Sequence, residues 1–468
     1  MNEKVSSGEV IQTTYVDENE ESNLKPNSLS FFEVIGESIA NIAPTATPVM
    51  NIAVVFALAG NSTWIAYLFA TIACILLASQ INVFSKRYAT SGSIYTYVNK
   101  SIGRRSGFVA GSSIFFAYIT TAVSMLGGFA IYLHNLLAYL NISVPYYLLA
   151  TIGIISVWFM AQRGVELSTR AMMVLEMTSV SLISILAFII LYTHHFNINP
   201  NNVDFTHVSM GNVTSGLVLA FFGFVGFEGA ASMGKEAKKP LKNVPLAVMI
   251  SPILAGIFFV IMSMVMIMGF NGSGHNLGAS TNPLSFLSEA NHVGFFGYCI
   301  TLGATISFWS GSVGIITAGS RIMMRMGNEH YLPKIVTKVN ETKRTPTIAI
   351  GILSVLIGSL IVGFSAFTQI SDAYDWFSTI AVWGFLVPYL MVTISAPIFL
   401  HKIKELRLKD IVLSFITGVL LIIPIVGSVY PQPQGIAKIF PYIFVGWIII
   451  TSIIGEYRYK KDKLKSTN

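Results

Sequence analysis

Residues 217–240 read LVLAFFGFVGFEGAASMGKEAKKP. The stretch is apolar and long enough to enter a bilayer, yet Gly223, Gly226 and Gly229 stand at its centre with Glu228 among them. Glycine weakens a helix interior, and a carboxylate in hydrocarbon is costly. Non-helical backbone at membrane depth is tolerated only where protein buries it or where it lines a cavity. A helix broken on purpose, and with it a transport site, accounts for both residue types. The alternative is a glycine-rich helix packed closely on a neighbour, with Glu228 snorkelling or protonated.

Around that stretch, the 468 residues are 53% hydrophobic and only 11% charged, with a mean hydropathy of +0.66. That composition excludes an ordinary soluble globular protein and predicts a polytopic, all-α integral membrane protein. The cysteines, Cys74 and Cys299, both sit in apolar runs. Neither a disulfide framework nor a cysteine metal site is supported. His194, His195 and His275 fall in loops, no metal-like histidine spacing lies at membrane depth, and no Gly-x-x-x-x-Gly-Lys occurs. An enzyme, an ATP-driven pump, a cofactor and a resident metal are therefore not expected. In a soluble chain the net charge of +7 would hint at nucleic acid. Here the basic residues have another use, and nucleic acid is not an expected partner.

A crossing helix needs about 20 apolar residues, and on that ruler the chain divides into twelve spans. The first covers roughly 34–59, the sixth roughly 213–234 and the last roughly 437–456. Orientation follows the bias of Lys and Arg between alternate loops. One side collects Lys86, Arg87, Lys100, Arg104, Arg105, Arg163, Arg170, Lys235, Lys238, Lys239 and Lys242. It also collects Arg321, Arg325, Lys334, Lys338, Lys343, Arg344, Lys402, Lys404, Arg407 and Lys409. The opposite loops, near 60, 134–145, 194–212, 271–292 and 368–372, carry none, and only Lys438 falls outside the pattern. A miscounted span would scramble this separation. The expectation is a multi-pass protein of the cell membrane with both termini cytoplasmic.

The division that follows is a polar, acidic, disordered cytoplasmic tail over 1–30 and a ten-helix transport core over 31–400. Two additional transmembrane helices over 401–457 and a basic cytoplasmic tail over 458–468 complete it. The N-terminal segment lacks the basic start and apolar core of a signal peptide. Residues 86–103 mix apolar and basic positions and are expected along the membrane interface, as are 328–339. Residues 271–292 read as a loop or lid with a short helix at 283–290.

If the first ten spans are two halves of opposite orientation, span 1 corresponds to span 6. Span 1 carries NIAPTATP at 41–48, where Pro44 and Pro48 lack amide donors and disfavour helix in the residue before them. Interrupted segments at corresponding positions are the best sequence pointer to a transporter's binding site. Half-helix amino ends face an anionic group there and freed carbonyls a cation, and an amino acid carries both charges. The candidate substrate residues are Ile42, Ala43, Pro44, Thr45 and Ala46 in span 1, with Phe224, Val225, Gly226 and Phe227 in span 6. Amides near Ala43, Thr45 and Ala46 are expected to hold a carboxylate, with hydroxyls of Thr45 and Thr47. Carbonyls near Phe224, Val225 and Gly226 are expected to accept from an ammonium group. Phe224 and Phe227 either close over the ligand or pack against lipid or core.

At 223–250 the chain reads GFVGFEGAASMGKEAKKPLKNVPLAVMI, and at 317–350 TAGSRIMMRMGNEHYLPKIVTKVNETKRTPTIAI. These stretches resemble the amino acid, polyamine and organocation superfamily of secondary transporters. The first is similar to the family's sixth helix and the Glu-Ala-x-x-Pro and Pro-x-Ala elements after it, at Glu236, Ala237, Pro240, Pro245 and Ala247. The second is similar to the end of its eighth helix, with Arg321, Leu332-Pro333 and Thr345-Pro346. The resemblance runs from about residue 30 to the end. It implies a LeuT-like five-plus-five inverted repeat with broken helices 1 and 6, two extra helices, alternating access, and substrate held between helices 1 and 6. It also implies a coupling or gating network that includes Glu228, whose other role is to hydrogen-bond the unwound segment.

Two departures qualify the resemblance. The break in span 1 is Ile-Ala-Pro-Thr-Ala rather than glycine-rich, so it matches by position and not by motif. Span 5 has no internal lysine of the kind some proton-coupled members carry, but has Glu176, which either takes a proton role or pairs with Arg170 or Arg163. A sodium site would draw on hydroxyls and carbonyls of helices 1 and 8, with Ser310 and Ser312 as candidates. Trp309 joins them as a gating or pocket-shaping residue, with Gly127, Gly128 and Trp383.

No acidic or basic residue stands near the middle of spans 3, 8 or 10 to pair a charged side chain. The expected activity is therefore secondary active transport of a neutral amino acid, by proton-coupled symport or exchange, with H+ or Na+ as coupling ion. The alternatives are a polyamine or organocation carrier using Glu228 and Glu176 as counter-charges, and a non-transporting membrane sensor.

Overall fold

In hydrocarbon every backbone N–H and C=O must find a partner inside the protein, and a helix does this within one segment. The computed structural model describes residues 15–16, 24–163, 165–196, 210–430 and 435–467, and it is built almost wholly of helices. In chain order they begin with α1 (Phe31–Ile42), α2 (Ile52–Ala59), α3 (Thr63–Ser85), α4 (Ser93–Ser101) and α5 (Arg104–Ala138). Next come α6 (Tyr146–Ala161), α7 (Val165–Thr193), α8 (Met210–Phe222), α9 (Pro240–Phe270) and α10 (Pro283–Ala290). The series closes with α11 (Gly294–Asn328), α12 (Thr347–Phe367), α13 (Ile370–Lys402), α14 (Leu408–Gly427) and α15 (Phe440–Thr467). The only strands among the described residues are β1 (Tyr15–Val16) and β2 (Tyr88–Ala89), paired in parallel.

Among the described residues, 10 stretches are long and apolar enough to cross a membrane. One of them, Phe31–Ser85, runs for 55 residues and contains α1, α2 and α3. The helix α6 is apolar but shorter than the rest.

The centre of the bundle is α5, which packs most extensively on α13 and α11. Without water to drive them together, membrane helices associate by close packing of small residues. Gly384 of α13 lies against the α5 backbone, where an added Cβ would stand 2.8 Å from the Ala117 nitrogen. Gly256 of α9 meets Thr71 of α3 in the same way, with an added Cβ 2.2 Å from Cγ2. In contrast, α14 and α15 keep much of their apolar surface outward, including Phe415, Val419, Ile450 and Ile453.

The segment at 86–103, expected along the interface, turns its apolar positions to protein. Ile94, Tyr95, Tyr97 and Val98 of α4 are fully buried and pack on protein at the basic end of the bundle. Four apolar positions in nine residues serve protein packing as well as lipid, and the pattern alone does not separate the two. Burial, with Glu329 beside it, pushes the Tyr95 phenol well above its usual range, and its hydroxyl donates to Glu329. The predicted short helix at 283–290 forms as α10. Of the predicted N-terminal tail, residues 15–16 and 24–30 are described, and Leu24 and Leu29 in it are buried.

Gly384→Ala should destabilise the detergent-solubilised protein by about 1–3 kcal/mol, because the α5 backbone cannot yield to the new methyl. Gly363→Ala, where an added Cβ meets nothing within 4 Å, is the control and should leave the thermal midpoint unchanged. Differential scanning fluorimetry of the two variants checks the contrast.

Candidate functional site

Both predicted breaks are present. The helix α1 ends where Ala43 turns into the left-handed region (φ 47), and a single π-turn at Thr47–Asn51 leads into α2. The helix α8 ends at Phe222, turns follow through 223–226, and a 3-10 segment runs Phe227–Met233. Gly226 has φ 89, and an added Cβ would lie 2.7 Å from the Asn41 Cβ, so a side chain is excluded there on two grounds.

The breaks satisfy each other. Ser38 of α1 donates its hydroxyl to the Phe227 carbonyl at 2.5 Å and accepts from the Ala230 amide at 3.3 Å. Beyond the breaks, Asn51 donates to the Leu219 carbonyl at 2.9 Å and to the Tyr67 hydroxyl at 3.1 Å. Tyr132 of α5 donates to the Val49 carbonyl inside the π-turn at 2.5 Å. Asn41 sits against Gly226, Gly229 and Gly314, three positions where only glycine leaves room for its amide.

Two fully buried carboxylates predicted from sequence flank the breaks. Glu228 accepts from the Tyr118 hydroxyl of α5 at 3.0 Å and from the Tyr389 hydroxyl of α13 at 2.6 Å. Each oxygen thus has a partner on one of the two central helices. Glu176 of α7 accepts at 2.7 Å from the Thr45 amide, the donor expected to hold a substrate carboxylate. Its other oxygen makes no hydrogen bond, although the Thr45 and Ser307 hydroxyls lie beside it, also buried and without a bond of their own. The alternative pairing of Glu176 with arginine does not occur. Arg170 binds Glu33 at 2.7 Å, and Arg163 stacks over the Phe159 ring.

Other predicted residues are placed less centrally. The Ala43 amide donates to Ile39 and the Ala46 amide to Ala43, so both are used within the chain. Phe224 packs edge-on to Phe259 of α9, and Phe227 packs on Tyr389. Ile42 and Val225 are buried in the core. Ser310 and Ser312 donate to carbonyls of their own helix, at Ser307 and Phe308. Trp309 turns to α6 and donates to Ser156 at 2.9 Å. The aromatic cluster near the breaks comes from elsewhere: Tyr374 meets Phe222 and Phe308 edge-on, and Tyr132 packs on Phe308. The Tyr374 hydroxyl is buried and makes no hydrogen bond.

The two ends of the site differ. At the basic end, Arg321 forms a fully buried two-pronged pair with Glu236, at 2.6 and 3.1 Å. Residues 28–29 are strapped beneath it, with the amides of Ser28 and Leu29 on the Glu236 carbonyl and the Lys238 amide on the Leu29 carbonyl. At the opposite end a cavity of about 570 Å³ opens beside Met50, Ala53, Asn135, Gln369 and Asp375.

Sequence reasoning missed Ser38, Asn41, Tyr118, Ser307 and Tyr389, each a polar residue in an apolar span. Glu37 was also missed: it is fully buried on α1, and neither carboxyl oxygen makes a hydrogen bond. A carboxylate one turn before a predicted break was the available signal.

Among known proteins, the chain is 24% identical over 330 residues to the branched-chain amino acid permease BcaP of Bacillus subtilis, covering 65% of this chain and 68% of the relative. It is 23% identical over 460 residues to the methylthioribose transporter of the same organism, covering 93% of this chain and 94% of that protein. It is 29% identical to the mitochondrial cationic amino acid transporter 3 of Arabidopsis thaliana, over 39% of this chain and 28% of that one. The sequence profile of the amino acid permease family matches residues 29–454, and the chain belongs to that family.

Proposed function

We propose that this protein carries a neutral amino acid of small to medium size across the cell membrane by alternating access, with proton coupling. The substrate lies between the breaks at 43–46 and 223–226. The observation that carries the reading is the pair of interrupted helices, bonded to each other and flanked by Glu176 and Glu228. Twelve crossings fit if Phe31–Ser85 spans twice and α6 once, arranged as five plus five with two further helices and with both termini cytoplasmic. The basic end, on this reading, is the closed cytoplasmic gate, and the cavity of about 570 Å³ is the outer approach.

A neutral substrate is favoured because the two acids that flank the breaks are engaged in holding them. Glu228 has both oxygens on tyrosines, and Glu176 is held by the Thr45 amide. A diamine carrier needs a carboxylate free to meet each ammonium group. The named relatives carry branched-chain amino acids, methylthioribose and cationic amino acids, so the substrate panel must include all three classes.

The two acids have different work. Glu228 ties the span 6 break to α5 and α13, and a charge at that point holds the break by two charge-assisted bonds. Glu176 holds the span 1 break through one amide. Protonating Glu176 turns an anionic acceptor into a neutral one, weakens its hold on Thr45 and frees the break to move.

Proteoliposomes should accumulate a labelled neutral amino acid under an imposed inward proton gradient, with diamines and methylthioribose failing to compete. Uptake driven only by preloaded substrate would make the protein an exchanger and sink the proton reading. Glu176→Gln should make uptake indifferent to pH while substrate exchange continues more slowly. Tyr389→Phe removes one bond to Glu228 and should lower the transport rate about ten- to a hundredfold, by about 1.5–3 kcal/mol for a bond to a charged group. Initial-rate measurements on the two variants separate loss of coupling from loss of speed.

A further inference from the structure

Glu37 has no part in the transport scheme above, and its setting is unusual for a carboxylate. It is 0% exposed, and neither oxygen accepts a hydrogen bond. Beside it on α1, the Asn41 amide is likewise buried and is the polar side chain of that helix next to the carboxyl, short of a well-formed hydrogen bond.

The charged groups facing Glu37 are Arg321 from α11 and Glu236 from the segment after the span 6 break. From α5 comes Tyr118, which also donates to Glu228. Among the described ionisable groups of α7, Arg170 is engaged on Glu33 and Glu176 on Thr45. The one ionisable residue of α9, Lys242, is exposed. Arg321 is always charged, but it is taken: Nε and Nη2 donate to Glu236 and Nη1 to the Thr317 carbonyl. One guanidinium therefore stands between two carboxylates and bonds only one. An ionised Glu37 here would be a second, uncompensated negative charge in a site sealed from water, which burial forbids.

We propose that Glu37 is a proton-binding site of the transport cycle, neutral while Arg321 is paired with Glu236 and ionised when opening of the basic end separates that pair. The inference rests on the alternating-access reading above. Opening moves the inner half of span 1 and the strap at 28–29 away from 236–238 and admits water. The Glu37 O–H then gives its proton to that water, and the carboxylate so formed takes the place of Glu236 beside Arg321. Arg321 is never left buried and unpaired, a state that is strongly destabilising. The single coupled proton that enters at Glu176 thus leaves from Glu37, so both acids are needed for coupling, and Glu37 links proton release to opening at one end only.

The test uses full-length protein in proteoliposomes and the labelled amino acid that wild-type vesicles exchange in counterflow. Under an inward gradient of about one pH unit, one-to-one coupling sustains about tenfold accumulation. Glu37→Gln should bring accumulation down to the level seen without a gradient while counterflow persists. Wild-type accumulation in the variant would overturn the proposal. If Glu37→Gln also loses counterflow, Glu37→Asp decides. Recovery of gradient-driven accumulation supports a proton role, and an Asp variant as inactive as Gln assigns Glu37 to structure alone. A wild-type protein that exchanges no amino acid fails at the first step, sinking the transport reading and this inference with it.

Discussion

A helix interrupted inside a bilayer exposes amides and carbonyls that neither water nor lipid can serve. This protein has two such interruptions and answers most of their demand by setting them against each other. The Ser38 hydroxyl serves both a carbonyl and an amide of the opposing break, and Asn51 and Tyr132 serve carbonyls on the far side. The arrangement needs the two chains at very close range. Glycine at 226 and 229 on one chain, and at 314 on α11, makes that range possible by leaving space for Asn41. Polar satisfaction and small-residue packing are therefore one requirement here.

The ends of the bundle are held by different forces. At the basic end, charge pairs and backbone bonds act together: Arg321 with Glu236, Arg325 with Glu329 at 2.7 Å, and the strap of residues 28–29. Separating a buried ion pair is expensive, whereas replacing one partner by another of the same sign is much less so. Among the described residues the opposite end carries few such ties, and it holds the cavity of about 570 Å³. The molecule is thus bonded tightly at one end and loosely at the other.

Much of this was legible in the sequence. Composition gave the membrane class, and Pro44, Pro48 and the glycines at 223–229 marked both breaks before any coordinates. Glu176 and Glu228 stood out because carboxylates are rare at such depth. What stayed hidden was pairing. Nothing in the local sequence of α7 says that Glu176 reaches Thr45, 131 residues away, rather than Arg170 six positions before it. Serines and tyrosines are common in spanning helices, so Ser38, Tyr118 and Tyr389 carried no signal until the packing brought them to a carbonyl or a carboxylate. What the apolar positions of 86–103 pack on stayed hidden for a related reason, since an amphipathic helix lies as well against protein as against lipid.

The Ser38–Phe227 bond joins positions 189 residues apart. A ribosome adding about 5–20 residues per second takes roughly 10–40 s to cover that interval. During this time α1 is already made, with Glu37, Ser38 and Asn41 lacking the partners that will shelter them. The nascent first span exists through that interval without the sixth. The bond that joins the two breaks therefore forms only after translation has run through both.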